Sequence, residues 1–423
     1  MKTSASITVS GPEDILGYVP HSLGYWPQES LVAVTLQGKR VGATLRVDLP
    51  RSLHRRDVLQ YATAVRQYLE TDRKADGVVL AIYTSGEWEE LPHKLGPLLL
   101  ALGEELTDQG LGIKDAWFIG DRYWRDALCT DTSCCPLPGR PLEDIRDSRL
   151  NAELVFLGSS IGTAPAPLLP APSTVPVDPA EDDWFGRLAG GSDSRAQFEA
   201  VLDAWDHTLL QANPLSLDPV QQAYLRATLR IPAWRDAVLV MCAAGRPAAL
   251  DGAERFGIFA AVPDDVDGAI AMPGLDPEST LPEGALSRPG PVGGAASGYV
   301  LGEGYGDPAG HACPDAFPGY GEVLLGMAPG KPDWNKLDAL DLVFQQLAAG
   351  GGAAGAAVMT GRGWIAWCRG RGSYAGAFLL QALDFVPGYR LAELLHEMIG
   401  RGTLCGWAAN PESAWQKFGR GVA

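Results

Sequence analysis

The 423 residues carry 34 Lys and Arg against 51 Asp and Glu, a formal charge of −17, which argues against phosphate-backbone binding as the main activity. The length predicts two or three domains, and 46% apolar residues with 12 Trp supply folded cores despite 51 Gly and 32 Pro. The first residues hold no continuous apolar stretch, runs such as Leu98 to Leu102 fall far short of a bilayer span, and 7 scattered Cys read as reduced thiols, so a cytoplasmic setting is expected.

Residues 1–160 alternate strand-like and helix-like signals and predict an α/β domain, a mixed sheet with flanking helices. Ser30–Leu36 and Val41–Leu49 flank the turn Gln37-Gly38-Lys39 and read as a hairpin, closed by Pro50. Arg56–Thr71 then places Val58, Leu59, Ala62, Val65, Tyr68 and Leu69 at helical spacing. Val78–Tyr83 is a β-branched run, Leu91–Leu106 is helix-like, and Ala116–Gly120 returns to strand character.

Residues 161–180 are rich in Pro and Ala and read as a linker. A helical middle region follows over 181–262. Ser194 with Gln197 resembles a capping box ahead of the stripe Phe198, Val201, Leu202, Trp205 and Leu209, and Asp218-Pro219 opens another helix. The Gly/Pro-rich stretch 263–330, with Pro289-Gly290-Pro291, predicts irregular chain. From 331 to 423 the pattern is a helical C-terminal module, beginning with Asp333 before Leu337, Leu340, Phe344 and Leu347. Within it, 356–389 can be laid on one tetratricopeptide unit, with Gly363, Gly370, Ala375, Leu379, Ala382 and Pro387 at its small, apolar and proline positions. One such helical pair cannot bury its own faces, so an ordinary packed bundle is the preferred reading.

Chemistry concentrates in Asp121-Arg122-Tyr123-Trp124-Arg125 and the following Cys129, Cys134 and Cys135, a loop after a strand, where α/β proteins place ligands. Three thiols within seven residues point to zinc, to thiolates beside Arg122 and Arg125, to a reversible disulfide, or to plain structural cysteines. Two adjacent Cys and no evident fourth ligand depart from paired Cys-x-x-Cys geometry, so no metal is assigned and no cofactor is named. A second cluster joins His21, Gln28, Glu29 and Ser30 with Arg46 and Asp48, which share a strand face; a surface ion pair is their ordinary reading. His207, His396, and His311 with Cys313 receive no role. No phosphate loop, dinucleotide fingerprint, Gly-x-Ser-x-Gly elbow or His-Glu-x-x-His helix occurs.

Leu23-Gly24-Tyr25-Trp26-Pro27-Gln28-Glu29-Ser30-Leu31-Val32, Arg46-Val47-Asp48-Leu49-Pro50, Cys129 with Cys134-Cys135-Pro136, Trp364 to Trp367 with Gly370-Arg371-Gly372-Ser373 and Ala375, and Pro387-Gly388-Tyr389-Arg390-Leu391-Ala392 occur in this order. Together they resemble an actinobacterial family called domain of unknown function 4192. The family usually has Phe and His where this chain has Tyr25 and Trp26. The resemblance implies an actinobacterial cytoplasmic setting and brings no reaction, ligand or catalytic residue with it.

The leading functional expectation is a regulatory or scaffolding protein that holds a protein partner through the helical module at 331–423. The alternative is an enzyme or small-ligand sensor with a pocket of Arg122, Trp124, Cys129, Cys134 and Cys135, joined by Arg46 and Asp48. Neither nucleic acid nor a membrane is expected as a partner, and the charge is compatible with monomer or oligomer alike.

Overall fold

A computed structural model describes residues 11–50, 52–85, 88–129, 131, 133–162, 178–211, 217–259, 269–274 and 317–416. Those up to 162 fall in one compact unit and those from 178 to 415 in a second.

The first unit runs α1 (Pro12–Leu23), β1 (Ser30–Gln37), β2 (Arg40–Asp48), α2 (Arg55–Leu69), β3 (Gly77–Tyr83), α3 (Leu91–Thr107), β4 (Ile113–Ile119), β5 (Tyr123–Asp126), β6 (Arg140–Pro141), α4 (Glu143–Arg146) and α5 (Arg149–Phe156). Its sheet has six strands in the order β2-β1-β3-β4-β5-β6. The predicted hairpin closes through Gly38 at φ +64°, a conformation that glycine adopts without strain, and pairs Gln37 with Arg40 and Ser30 with Asp48. β3 and β4 are the one parallel pair of named strands, joined by the α3 crossover, and the remaining neighbours are antiparallel. The mixed α/β domain expected from the sequence is therefore present.

Period-two alternation sorts the side chains to two faces. Leu31, Ala33, Leu80, Ile82 and Phe118 pack with Val58 and Val65 of α2 and Leu98 and Leu102 of α3. On the other face Val32, Val34, Ala81, Trp117 and Trp124 meet Leu16 and Val19 of α1 and Ile145 of α4. β3 lies between two helical layers and is buried along its whole length, so it reads as a continuous apolar run.

The second unit is helical: α6 (Pro179–Ala189), α7 (Arg195–Leu210), α8 (Pro219–Leu229), α9 (Pro232–Ala244), α10 (Arg246–Arg255), α11 (Tyr320–Leu324), α12 (Trp334–Leu347), α13 (Gly352–Cys368), α14 (Gly372–Phe385), α15 (Arg390–Gly400) and α16 (Gly406–Ala409). Asp218 caps α8 by accepting from Gln221 N at 2.8 Å, and Asp333 caps α12 by accepting from Asn335 N and Lys336 N. The capping box at α7 forms only by half. Ser194 Oγ accepts from Gln197 N, whereas the Gln197 amide turns away to clamp Ile270, accepting from Ile270 N at 2.7 Å and donating to Ile270 O at 3.0 Å. Tyr224 Oη, donating to Ile270 O at 2.9 Å, joins Gln197 in holding the backbone of this segment. Met272 and Tyr320, both inside the Gly/Pro-rich stretch, are buried in the core.

One continuous core runs from Leu188 and Trp205 through Trp234 and Phe344 to Trp364, Leu395 and Trp407. Residues 331–409 thus share their interior with α7–α10. At its centre lies α13, enclosed over nearly its whole length. A Cβ on Gly363 would sit 2.8 Å from Leu379 Cγ, so the small residue there does set the close approach of α13 and α14. A helix surrounded on all sides belongs to the middle of a bundle. Most of the expected linker, 163–177, and the stretch 275–316 lie outside the described residues. No helix among the described residues is long and apolar enough to cross a membrane.

Candidate functional site

Two aspartates fold the loop that leaves β5. Asp126 Oδ1 accepts from Leu128 N at 2.7 Å and Cys129 N at 2.9 Å, and Asp131 Oδ1 accepts from Ser133 N at 2.8 Å and Ser133 Oγ at 2.7 Å. Cys135 N then donates to Asp131 O at 2.8 Å, which turns the chain back toward Cys129. Gly139, at φ +105°, lets the returning strand settle on β5: a Cβ there would lie 2.5 Å from Trp124 O and 3.1 Å from Arg125 Cβ. The Trp88 indole N–H donates to Pro138 O and pins the return.

These turns gather the sulfurs of Cys129, Cys134 and Cys135 within 4.8 Å of one another, with Cys134 and Cys135 at 4.0 Å. Cys134 is exposed and the other two are half-buried. The Cys135 thiol is pushed up to about 12, first by its hydrogen bond with Cys129, then by desolvation and by Cys134. It therefore holds its proton at neutral pH and is a poor nucleophile when alone. Hydrogen bonds from Ser133 keep the Asp131 carboxyl below its ordinary range.

Arg125, on β5, is 8% exposed. Its Nη2 donates to Cys129 O at 3.5 Å, and among the described residues its Nε meets no partner and no carboxylate forms an ion pair with it. Arg122 sits at the other end of β5, exposed, its guanidinium 5.7 Å from the Tyr123 ring centroid. Of Arg122 and Arg125, Arg125 is the one that reaches the thiol loop.

The pocket expected from the sequence does not assemble as a whole. Trp124 is a core residue on the opposite face of the sheet from Arg125, 3% exposed, with the Arg140 guanidinium 4.6 Å from its ring centroid. Alternation along the strand forces this separation, so Trp124 cannot grip a ligand beside the thiols. Arg46 and Asp48 pair with each other on the edge strand β2. Four strand spacings separate β2 from β5 in the sheet order, about 19 Å at the usual interstrand distance, so they do not join Cys129.

The second cluster also divides. His21 is fully buried and hydrogen-bonded to Ser159 Oγ at 2.8 Å and Asn151 Oδ1 at 2.7 Å, which ties α1 to the first turn of α5 and to the segment that follows it. Glu29 instead crosses to the end of β3, where its carboxylate accepts from Ser85 N at 2.7 Å, Ser85 Oγ at 2.8 Å and Thr84 Oγ1 at 3.2 Å. Partial burial alone would raise the Glu29 carboxyl; the Ser85 and Thr84 bonds, with Lys94 nearby, outweigh it and hold the group below its ordinary value. Thr84 and Ser85 carried no motif that would single them out. His311 and Cys313 lie outside the described residues.

Residues 12–255, more than half of the chain, match the family described as Domain of unknown function (DUF4192). No curated protein and no solved structure matches the chain. The matched stretch holds the Leu23–Val32, Arg46–Pro50 and Cys129–Pro136 motifs, whereas Trp364–Trp367 and Pro387–Ala392 fall beyond it. With the sheet, its thiol loop and helices α6–α10 all inside that match, the chain belongs to the DUF4192 family.

Proposed function

We propose that this is a regulatory protein that takes its signal at the thiol loop of the N-terminal unit, by capture of a thiophilic ligand. The observation that carries the reading is the convergence of Cys129, Cys134 and Cys135 to within 4.8 Å on a surface loop. Three soft donors on one accessible loop favour capture of a soft partner, and the proton held by Cys135 disfavours a lone catalytic thiolate. A self-contained partner-binding module at 331–423 has less behind it, because those helices complete a core begun by α7–α10.

Alkylation of the folded full-length chain, read residue by residue by mass spectrometry, tests the reading. Cys134 reacts in the folded state, Cys135 lags behind it because it holds its proton, and the buried Cys242, Cys368 and Cys405 react only in denaturant. A folded chain in which Cys134 stays unmodified would refute it.

A further inference from the structure

We infer that Cys129, Cys134 and Cys135 form a three-thiolate zinc site with one coordination position left open. The inference rests on the thiol-loop reading above and names the ligand of that site. Tetrahedral zinc, with Zn–S distances of about 2.3 Å, spaces its sulfurs about 3.8 Å apart. Cys134 and Cys135 already stand 4.0 Å apart, and no pair in the cluster exceeds 4.8 Å, so side-chain rotation of less than about 1 Å closes the tripod. No His, Asp or Glu among the described residues joins the cluster, and this matches the open form of zinc coordination in which the fourth place takes water or a small donor.

The surroundings fit the charge of that centre. Three thiolates around a divalent ion leave one net negative charge, and the buried Arg125, with no carboxylate partner among the described residues, lies against the Cys129 backbone. A buried cation without a counter-charge is costly, and a zinc–thiolate centre supplies one. The protons balance as well. Each S–H bond gives way to a Zn–S bond, so the three thiols release three protons per ion bound.

The test is titration of the reduced full-length protein with Co2+ and then Zn2+, followed by absorbance and proton release. One Co2+ per chain binds with thiolate-to-cobalt charge-transfer absorption, about three protons leave per ion, and zinc displaces the cobalt. C134S, a surface change, weakens the affinity at least about tenfold and lowers the charge-transfer intensity by about a third. Arg125→Leu removes the counter-charge and weakens affinity by about tenfold while the intensity per bound cobalt stays the same, because all three thiolates remain. Absence of the charge-transfer band, or a band that C134S leaves unchanged, overturns the zinc site. Should the band be absent while Cys134 is alkylated in the folded chain, the zinc inference fails and the thiol-loop reading survives; should Cys134 also resist alkylation, both fail.

Discussion

Arg226 in the helical unit offers a sharp test of how its core is held. The side chain is 8% exposed and its partner Glu181 is 1% exposed. Arg226 Nε donates to Glu181 Oε2 at 2.7 Å, Nη1 donates to Leu347 O and Nη2 donates to Gly351 O at 3.0 Å, so one guanidinium joins α6 and α8 to the junction of α12 and α13. Replacing it by Met strands a buried carboxylate, a loss of about 3–5 kcal/mol in comparable pairs. Arg230 Nη1, 3.5 Å from Glu181 Oε1, offers some compensation, but it is already engaged by Asp182 at 2.6 Å. We therefore expect about 3 kcal/mol for R226M, at the lower end of that range. In the double variant R226M/E181L no charge is left unpaired, so the loss falls short of the sum of the single variants by at least about 1.5 kcal/mol. Urea unfolding followed by tryptophan fluorescence reads this directly, because Trp205, Trp234 and Trp364 are all fully buried in this core. A loss below about 1 kcal/mol for R226M, or additivity within about 0.5 kcal/mol, would show that the ion pair does not organise the unit.

Two glycines in neighbouring helices should respond in opposite directions. A Cβ on Gly361 would come 2.4 Å from Phe344 Cε2, and Phe344 is itself locked against Trp205, so overpacking of about 1–3 kcal/mol exceeds the helix-propensity gain of about 1 kcal/mol and G361A lowers the melting temperature. Gly376 has open space around its Cβ position, so G376A raises it, by up to about 1 kcal/mol of stability. Glu29→Gln tests the clasp between the start of β1 and the end of β3. The folded carboxyl lies below its ordinary 4.5, so its stabilising contribution is complete above that pH and disappears as pH falls through the lowered folded value. The variant is then less stable than the parent at about pH 7, and the difference shrinks on acidification below that ordinary value; a gap independent of pH would refute the assignment.

Much of the architecture was legible because short-range rules decide it. The Gly38 turn between two β-branched runs defines the hairpin, the buried run Val78–Tyr83 marks the central strand, and Asp218 and Asp333 announce their helices by capping. Asp126 and Asp131 were passed over in the sequence, although each accepts a hydrogen bond from the amide two residues on, a local signal that the cysteine loop folds back on itself. Family membership followed from ordered motifs, although the matched stretch ends at 255, before the C-terminal ones.

What needed the tertiary structure was who meets whom. Arg46 and Asp48 share a strand face, yet sheet order places them four strands from β5, and no local pattern encodes that order. Trp124 and Arg125 are adjacent in sequence and part to opposite faces, one into the core and one toward the thiols, because the pleat alternates and the faces are assigned only when helices cover them. Gln197 looks like half of a capping box and instead holds Ile270, a partner 73 residues away. Composition and periodicity set the elements through interactions within a few residues. The distances among three sulfurs, and the contact of one buried arginine with the Cys129 carbonyl, arise only when a loop closes on a strand, and that closure depends on Gly139 fitting where no side chain can.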